Sequence, residues 1–323
     1  MKRSVGENLR RLRLRCNLTM NDAANMIGIS APAILKYEKN LMLPSIKNLE
    51  LLAKAYECTI DDILDTSDIK EIKFINFQCL NKSAFHKKEK IKNILTEKIN
   101  NYFELLKLSN IKLQNKFGVH IINTVEEAEI LATKFRIFFS ISIDSPLDNL
   151  AYLLENNGIV LITLPKNNIT KDFLGFYENI DGIPVIAVPK ADNGYEQRYT
   201  IAKYLGELLI KSDKNKDAIT TRFALSLLIP KESLINEFGK TRVKINFKEI
   251  DIFSNRYKTS YKHIIKRLEM CKIITPSNAK YLNGDLNKEK RKENIYTEEA
   301  YNYDKMLYKL NAQGIIKNIN KFL

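Results

Sequence analysis

The first 65 residues carry the tightest constraint in the chain, a succession of short helical segments that each bring their own start and stop signals. Leu9, Leu12 and Leu14 open an apolar-periodic segment that ends near Asn17. Thr19 stands as an N-cap before MNDAANMIG, which stops at Gly28. Ser30 caps APAILKYEK, whose Pro32 lies in the first turn, where backbone N–H groups lack helical partners in any case. SIKNLELLAKAY follows Pro44, and Thr59 caps the short TIDDIL. The result is five short helices with a tight glycine turn between the second and the third.

The whole chain has 323 residues, 45% hydrophobic and 28% charged, which is ordinary globular composition with room for two or three domains. Cys16, Cys58, Cys79 and Cys271 form no C-x-x-C pair and read as free thiols. His86, His120 and His263 lie far apart, so no metal site and no cofactor is expected. The start, MKRSVGENLRRLRLRC, has no apolar signal-peptide core, and runs such as IVLITL are too short to span a bilayer, so a cytosolic chain without a membrane partner is expected. The net charge of +14 is unevenly placed. Basic residues exceed acidic ones by 9 to 4 over residues 69–110 and by 20 to 11 over 231–323, while 111–230 is balanced. A basic balance suits a polyanionic partner, though charge alone argues weakly for nucleic acid.

The series LRRLR, NDAANMIGIS, Ile34, Tyr37–Glu38, Pro44 and LAKAYECTIDDIL resembles the Xre-type (Cro/C1 repressor-like) helix-turn-helix over about residues 5 to 65. The resemblance implies a five-helix lambda-repressor-like domain, a structural ion pair between Arg13 and Glu38, and double-stranded DNA as partner. Carried over residue by residue, Ser30, Ala31, Pro32, Ala33 and Lys36 would face the major groove. Lys39 and Thr19 would lie near phosphate, and Arg10, Arg11 and Arg15 keep the first helix positive for phosphate steering. Ala31 and Ala33 could meet thymine methyls and Lys36 a guanine, which is a sparse readout leaning on A·T-rich sequence and DNA shape. Met20 stands where the family usually has a glutamine, and Leu41–Met42–Leu43 is an apolar loop where it is usually basic. Those two departures keep open a module used for protein contacts instead.

Further along, KKEKIKNILTEKINNYFELLKL places Ile91, Ile94, Leu95, Ile99, Tyr102, Phe103 and Leu106 on one helical face. That stripe must be covered either by its own domain or by a second copy, so a homodimer is one expectation. TVEEAEILATKFR, capped by Thr124, and SPLDNLAYLLENN, with Pro146 in its first turn and Gly158 past its end, read as helices. IVLITL reads as a strand, and GFYENIDGIPVIAV as two strands joined at Asp181–Gly182. RYTIAKYLGELLI follows as an amphipathic helix.

This order, closed by RFALSLLIPKESL, resembles the ImmA/IrrE family of zinc metallopeptidases over roughly residues 85 to 275, which implies a zincin-like α+β domain with a small sheet. The family's active helix carries A-H-E-L-G-H, whereas this chain reads Ala202, Lys203, Tyr204, Leu205, Gly206, Glu207. Zinc peptidase chemistry needs two imidazoles four residues apart and a glutamate to activate the metal-bound water. Lys203 replaces the first ligand, Tyr204 the base and Glu207 the second ligand, and the third ligand is at best Asp217, so a degenerate, pseudo-peptidase domain is expected. What remains on that face is either a Lys203–Glu207 ion pair or a small anion- or ligand-binding site built from Lys203 and Tyr204. In the next segment Ile264, Leu268 and Ile273 read as core, and Lys262, Lys266 and Arg267 as a solvated face or a second DNA contact. NKEKRKEN reads as a flexible linker and TEEAYNYDKMLYKL as a terminal helix capped by Thr297.

The chain is thus expected to be mainly α, with an α+β part. Its expected domains are a helix-turn-helix domain (1–68), a lysine-rich connector and long helix (69–110), a peptidase-like domain (111–275), and a basic linker with terminal helix (276–323). The expected function is a sequence-specific DNA-binding transcriptional regulator whose second domain serves as sensor, dimerisation or partner-binding module, with a small-molecule or anionic effector. The alternatives are an active zinc peptidase that cleaves a repressor, and a protein-binding scaffold.

Overall fold

A computed structural model describes all residues except 1–3, 17, 65–71, 81–84, 115, 168–169, 192, 290–295, 297, 317 and 323. It is mainly helical with a small sheet. Capping chemistry sets the opening helices, α1 (Val5–Arg15), α2 (Met20–Ile27), α3 (Ala31–Glu38), α4 (Ile46–Ala55) and α5 (Ile60–Leu64). Ser4 with Glu7 and Thr19 with Asp22 form reciprocal capping boxes at α1 and α2. Gly28 ends α2 at φ 73°, and Asn40 follows α3 at φ 56°, where the Leu41 N–H reaches back to the Lys36 carbonyl at 2.9 Å. Both turns use a left-handed residue to satisfy the last carbonyls of a helix. Leu9, Leu12, Ala23, Ile34, Leu52 and Ile63 fill the core between these helices. Each large aliphatic side chain buried there contributes about 1.5–3 kcal/mol.

The chain continues through β1 (Phe77–Cys79), α6 (Phe85–Leu108), β2 (His120–Ile121), α7 (Val125–Phe138) and α8 (Leu150–Glu155). Next come β3 (Val160–Leu164), β4 (Phe173–Ile180), β5 (Ile183–Pro189), α9 (Gly194–Leu209), β6 (Ile210–Lys211) and α10 (Lys216–Leu228). The last elements are α11 (Lys231–Phe238), α12 (Phe247–Tyr257), α13 (Tyr261–Met270), α14 (Pro276–Glu289) and α15 (Asn302–Ala312). One sheet has the order β1-β4-β5-β3, with β3 parallel and β4 antiparallel to β5. Asp181 and Gly182, at φ 51° and 83°, make the two-residue turn of the β4–β5 hairpin. β2 and β6 form a separate parallel pair.

The compact units are discontinuous in sequence. Residues 1–73, 92–111 and 303–323 form the first, and 74–91 with 112–302 form the second. These limits differ from the four consecutive segments drawn on the sequence. The apolar stripe of α6 is covered within the chain: Ile91, Leu95, Ile99, Tyr102 and Leu106 are buried, and the Tyr102 ring lies 5.6 Å from that of Tyr303. A second copy is therefore not required to hide it. Two local expectations are corrected, and a third falls outside the described residues. Pro146 precedes α8, which Asn149 caps instead, because the Asn149 side chain accepts the Tyr152 N–H. α15 starts at Asn302, since the Glu155 carboxylate takes the N–H groups of Tyr301 and Asn302. The proposed cap Thr297 and most of NKEKRKEN lie outside the described residues, although α14 runs on to Glu289.

Arg267 is fully buried and not part of a solvated face. Its Nε donates to the Ile229 carbonyl at 2.9 Å and its Nη1 to Glu129 Oε2 at 3.0 Å. Buried Arg136 likewise caps the Ser142, Ser145 and Leu227 carbonyls, and burial lowers its pKa to about 10.

Candidate nucleic-acid interface and a second polar cluster

In the first unit, α3 is held from behind by one ion pair. Arg13 Nε and Nη2 donate to the two carboxylate oxygens of Glu38 at 2.5 and 3.0 Å, and Arg13 Nη1 donates to the Leu18 carbonyl at 2.7 Å. The carboxylate raises the Arg13 pKa against burial. A second latch was not legible in the sequence. The Asn40 side chain accepts the Gly6 N–H at 2.8 Å and donates to Ser4 Oγ at 2.8 Å. A Cβ on Gly6 would meet the Tyr37 and Glu38 carbonyls at 2.4 and 2.6 Å, so only glycine allows α1 to approach the end of α3 this closely.

The outward side of α3 presents Ser30, Pro32, Lys36 and Lys39 to solvent, with Ala31 and Ala33 half-buried beside them. Ser30 occupies the N-cap position, yet its hydroxyl makes no cap bond and is left for another partner. Other expected contacts are engaged. Thr19 Oγ1 donates to Asp22 at 2.7 Å within its capping box. Arg15 Nη2 reaches the Tyr56 carbonyl at 3.4 Å, and Arg11 pairs with Glu97 at 2.6 Å. Of the four arginines of α1, Arg10 alone is exposed. The loop Leu41–Met42–Leu43 is exposed, as is Ile46.

In the second unit the expected Lys203–Glu207 pair does not form. Lys203 Nζ lies 2.5 Å from Asp217 Oδ1, at the start of α10. Glu207 instead pairs with Lys216 at 3.0 Å and accepts hydroxyl bonds from Thr220 at 2.9 Å and Tyr177 at 3.3 Å. Lysine preceding glutamate is the weaker order for a pair four apart on a helix, and α10 offers each side chain a nearer partner. Tyr204 is turned away from Lys203. Its hydroxyl points to Gln78 Oε1 at 3.1 Å and the Leu174 carbonyl at 3.2 Å, and burial raises its pKa. A Cβ on Gly175 would stand 2.2 Å from the Tyr204 ring, so glycine in β4 makes the space for it.

A third element joins this cluster. The rings of Tyr199 on α9 and His263 on α13 stack with centroids 3.9 Å apart. Ser260 Oγ lies 2.8 Å from His263 Nδ1, and burial pushes the imidazole down to about 4, keeping it neutral beside Glu196. Among the described residues no group of His, Cys, Asp and Glu could hold a metal ion, and no helix is long and apolar enough to cross a membrane.

Residues 9–63 match the model of a helix-turn-helix family, and this segment is an Xre/Cro-C1-like helix-turn-helix domain. No curated protein sequence matches the chain. Among solved structures, the P22 c2 repressor in complex with synthetic operator 9T is 29% identical over 20% of this chain and 98% of that one, with a TM-score of 0.20. PlcR of Bacillus thuringiensis, in complex with the peptide PapR7 and DNA, is 13% identical over 98% and 92%, with a TM-score of 0.19. ComR of S. thermophilus, in complex with DNA and its signalling peptide ComS, is 12% identical over 96% and 94%, also at 0.19. Scores this low support no statement about the chain as a whole.

Proposed function

We propose that the chain is a sequence-specific DNA-binding transcriptional regulator in which α3 enters the major groove. The observation that carries this reading is the helix-turn-helix domain with Ser30, Pro32 and Lys36 exposed on α3 while Arg13 and Glu38 brace its buried side. Lys39 and Arg10 supply phosphate contacts. Affinity of the chain for its own upstream DNA against a shuffled duplex, at several salt concentrations, tests it. A clear preference for the native fragment is expected, and Lys36→Ala should cost about 1–3 kcal/mol of that binding. Equal affinity for both duplexes would remove sequence specificity from the proposal.

The second unit is, in this reading, a peptidase-like domain without its zinc chemistry, retained as sensor, dimerisation or partner-binding module. Support comes from the position of the first ligand, where Lys203 meets Asp217, the residue standing for the third. An ammonium there supplies the positive charge and repels a metal ion. After exposure to zinc and dialysis, the chain is expected to retain no stoichiometric zinc. One zinc per chain, lost in Lys203→Ala, would restore the active peptidase reading. A protein-binding scaffold is favoured by one observation, the exposure of Leu41, Leu43 and Ile46 at 72, 73 and 75% beside α3. Absence of any DNA binding at low salt would move the function there.

A further inference from the structure

We propose that the groove between α8 and α9 is a binding site for an extended peptide in which a tyrosine stands two residues before a glutamate, and that Tyr296 and Glu298–Asn302 of this chain occupy it as an internal ligand. The segment is held as a bound peptide is held, one side chain by shape, one by charge and the backbone by hydrogen bonds. The Gly194 N–H donates to the Tyr296 carbonyl at 2.9 Å, and a Cβ on Gly194 would stand 2.3 Å from that oxygen, so glycine at this place admits a second backbone. The Tyr296 ring stacks on Tyr195 at 5.8 Å. The Glu298 carboxylate accepts Arg198 Nη1 and the Ala151 N–H, each at 2.7 Å, and Gln197 Nε2 donates to the Glu298 carbonyl at 3.3 Å. Glu155 then accepts the N–H groups of Tyr301 and Asn302 at 2.9 and 3.2 Å.

The groove and its occupant are built differently. Arg198 is fixed from its own side by the Leu147 and Asp148 carbonyls, so the guanidinium is aimed whether or not the segment is seated. Its Nε is buried without a hydrogen-bond partner among the described residues. The internal segment thus leaves one donor unused, unlike Glu38, which takes Nε and Nη2 of Arg13 together. The segment itself lies at the surface. Residues 298–301 belong to no helix or strand, Glu299 and Ala300 are half-buried, and Tyr301 is 49% exposed. A stretch held in this way lifts off without opening a helix or a sheet. The fully buried Arg198 then requires another anion, and the carboxylate of an incoming peptide supplies it. Such a peptide competes with a segment that the chain presents to itself at an effective concentration on the order of millimolar.

This inference rests on the reading of the second unit as a sensor or partner-binding module, but its test contains no DNA, so a failure of operator binding and a failure of the groove are separate results. The probe is the fluorescein-labelled peptide IYTEEAYN, residues 295–302 of the chain, titrated into the full chain and followed by anisotropy. Glu298→Gln in the chain weakens the internal occupant, so that variant is expected to bind the peptide about tenfold more tightly than the wild-type chain does, the size expected for one charge-assisted hydrogen bond. The same substitution placed in the peptide should weaken its binding by a similar factor. A further measurement needs no variant of the chain: peptide at saturation should speed protease cleavage of the wild-type chain near Tyr301, because the displaced segment is then open to attack, an effect that a purely structural segment would not show. A folded Glu298→Gln chain that binds no peptide would overturn the site. Equal affinity for the two peptides, or a cleavage rate unchanged at saturation, would overturn it as well.

Discussion

Glu38→Ala is expected to unfold the helix-turn-helix domain at temperatures where the wild-type domain is intact. The Arg13 and Glu38 side chains are 7 and 5% exposed, and the two-pronged contact between them fixes the end of α3 to α1. Removing the carboxylate leaves a buried guanidinium with only the Leu18 carbonyl, and breaking one partner of such a pair costs about 3–5 kcal/mol. A small domain has about 5–15 kcal/mol in total, so the loss takes much of its margin. Arg13→Lys should recover little, because an ammonium cannot span both carboxylate oxygens. Urea unfolding of the full chain, with operator binding as a parallel readout, measures the effect. A midpoint unchanged by Glu38→Ala would mean that the pair is dispensable.

The second large effect is expected from Glu298→Ala in the other unit. Arg198 and Glu298 are both completely buried, with Nη1 2.7 Å from Oε2. Glu298 also takes the Ala151 N–H at 2.7 Å and the Tyr296 hydroxyl at 2.7 Å, while Arg198 donates to the Leu147 and Asp148 carbonyls. Alanine would strand a buried cation and a buried backbone N–H together, again about 3–5 kcal/mol. Because residues 298–302 are tied down by this pair and by Glu155, protease cleavage near Tyr301 should accelerate with the loss of stability. Glu298→Gln keeps an acceptor for Ala151 without the charge and should fall between the two. Unfolding and proteolysis rates equal to wild type in Glu298→Ala would show that the segment is held by other contacts.

These two pairs differ in how they relate to sequence. Arg13–Glu38 was expected from family resemblance. Arg198–Glu298 joins residues a hundred apart, and no local pattern marked either as buried. The same contrast holds across the chain. Thr19, Gly28, Thr124 and the Asp181–Gly182 turn act through bonds and dihedral angles within a few residues, so they were legible from neighbouring letters. β1 was missed because three residues carry no usable alternation, and its place depends on pairing with β4. The polar helix positions were misassigned for a related reason. Periodicity put Lys203 and Glu207 on one face of α9, but it could not tell that α10 would present Asp217 to one and Lys216 with Thr220 to the other.

Sequence by itself therefore determined the five opening helices, the Thr19 cap, the Gly28 turn and the β4–β5 hairpin. Tertiary structure alone decided that Lys203 belongs to Asp217, that Tyr204 fills the space left by Gly175, and that the stripe of α6 is closed within the chain. Capping and periodicity are energies of near neighbours, whereas an ion pair or a buried ring is chosen among all surfaces that folding brings within a few ångströms, which no local spacing encodes.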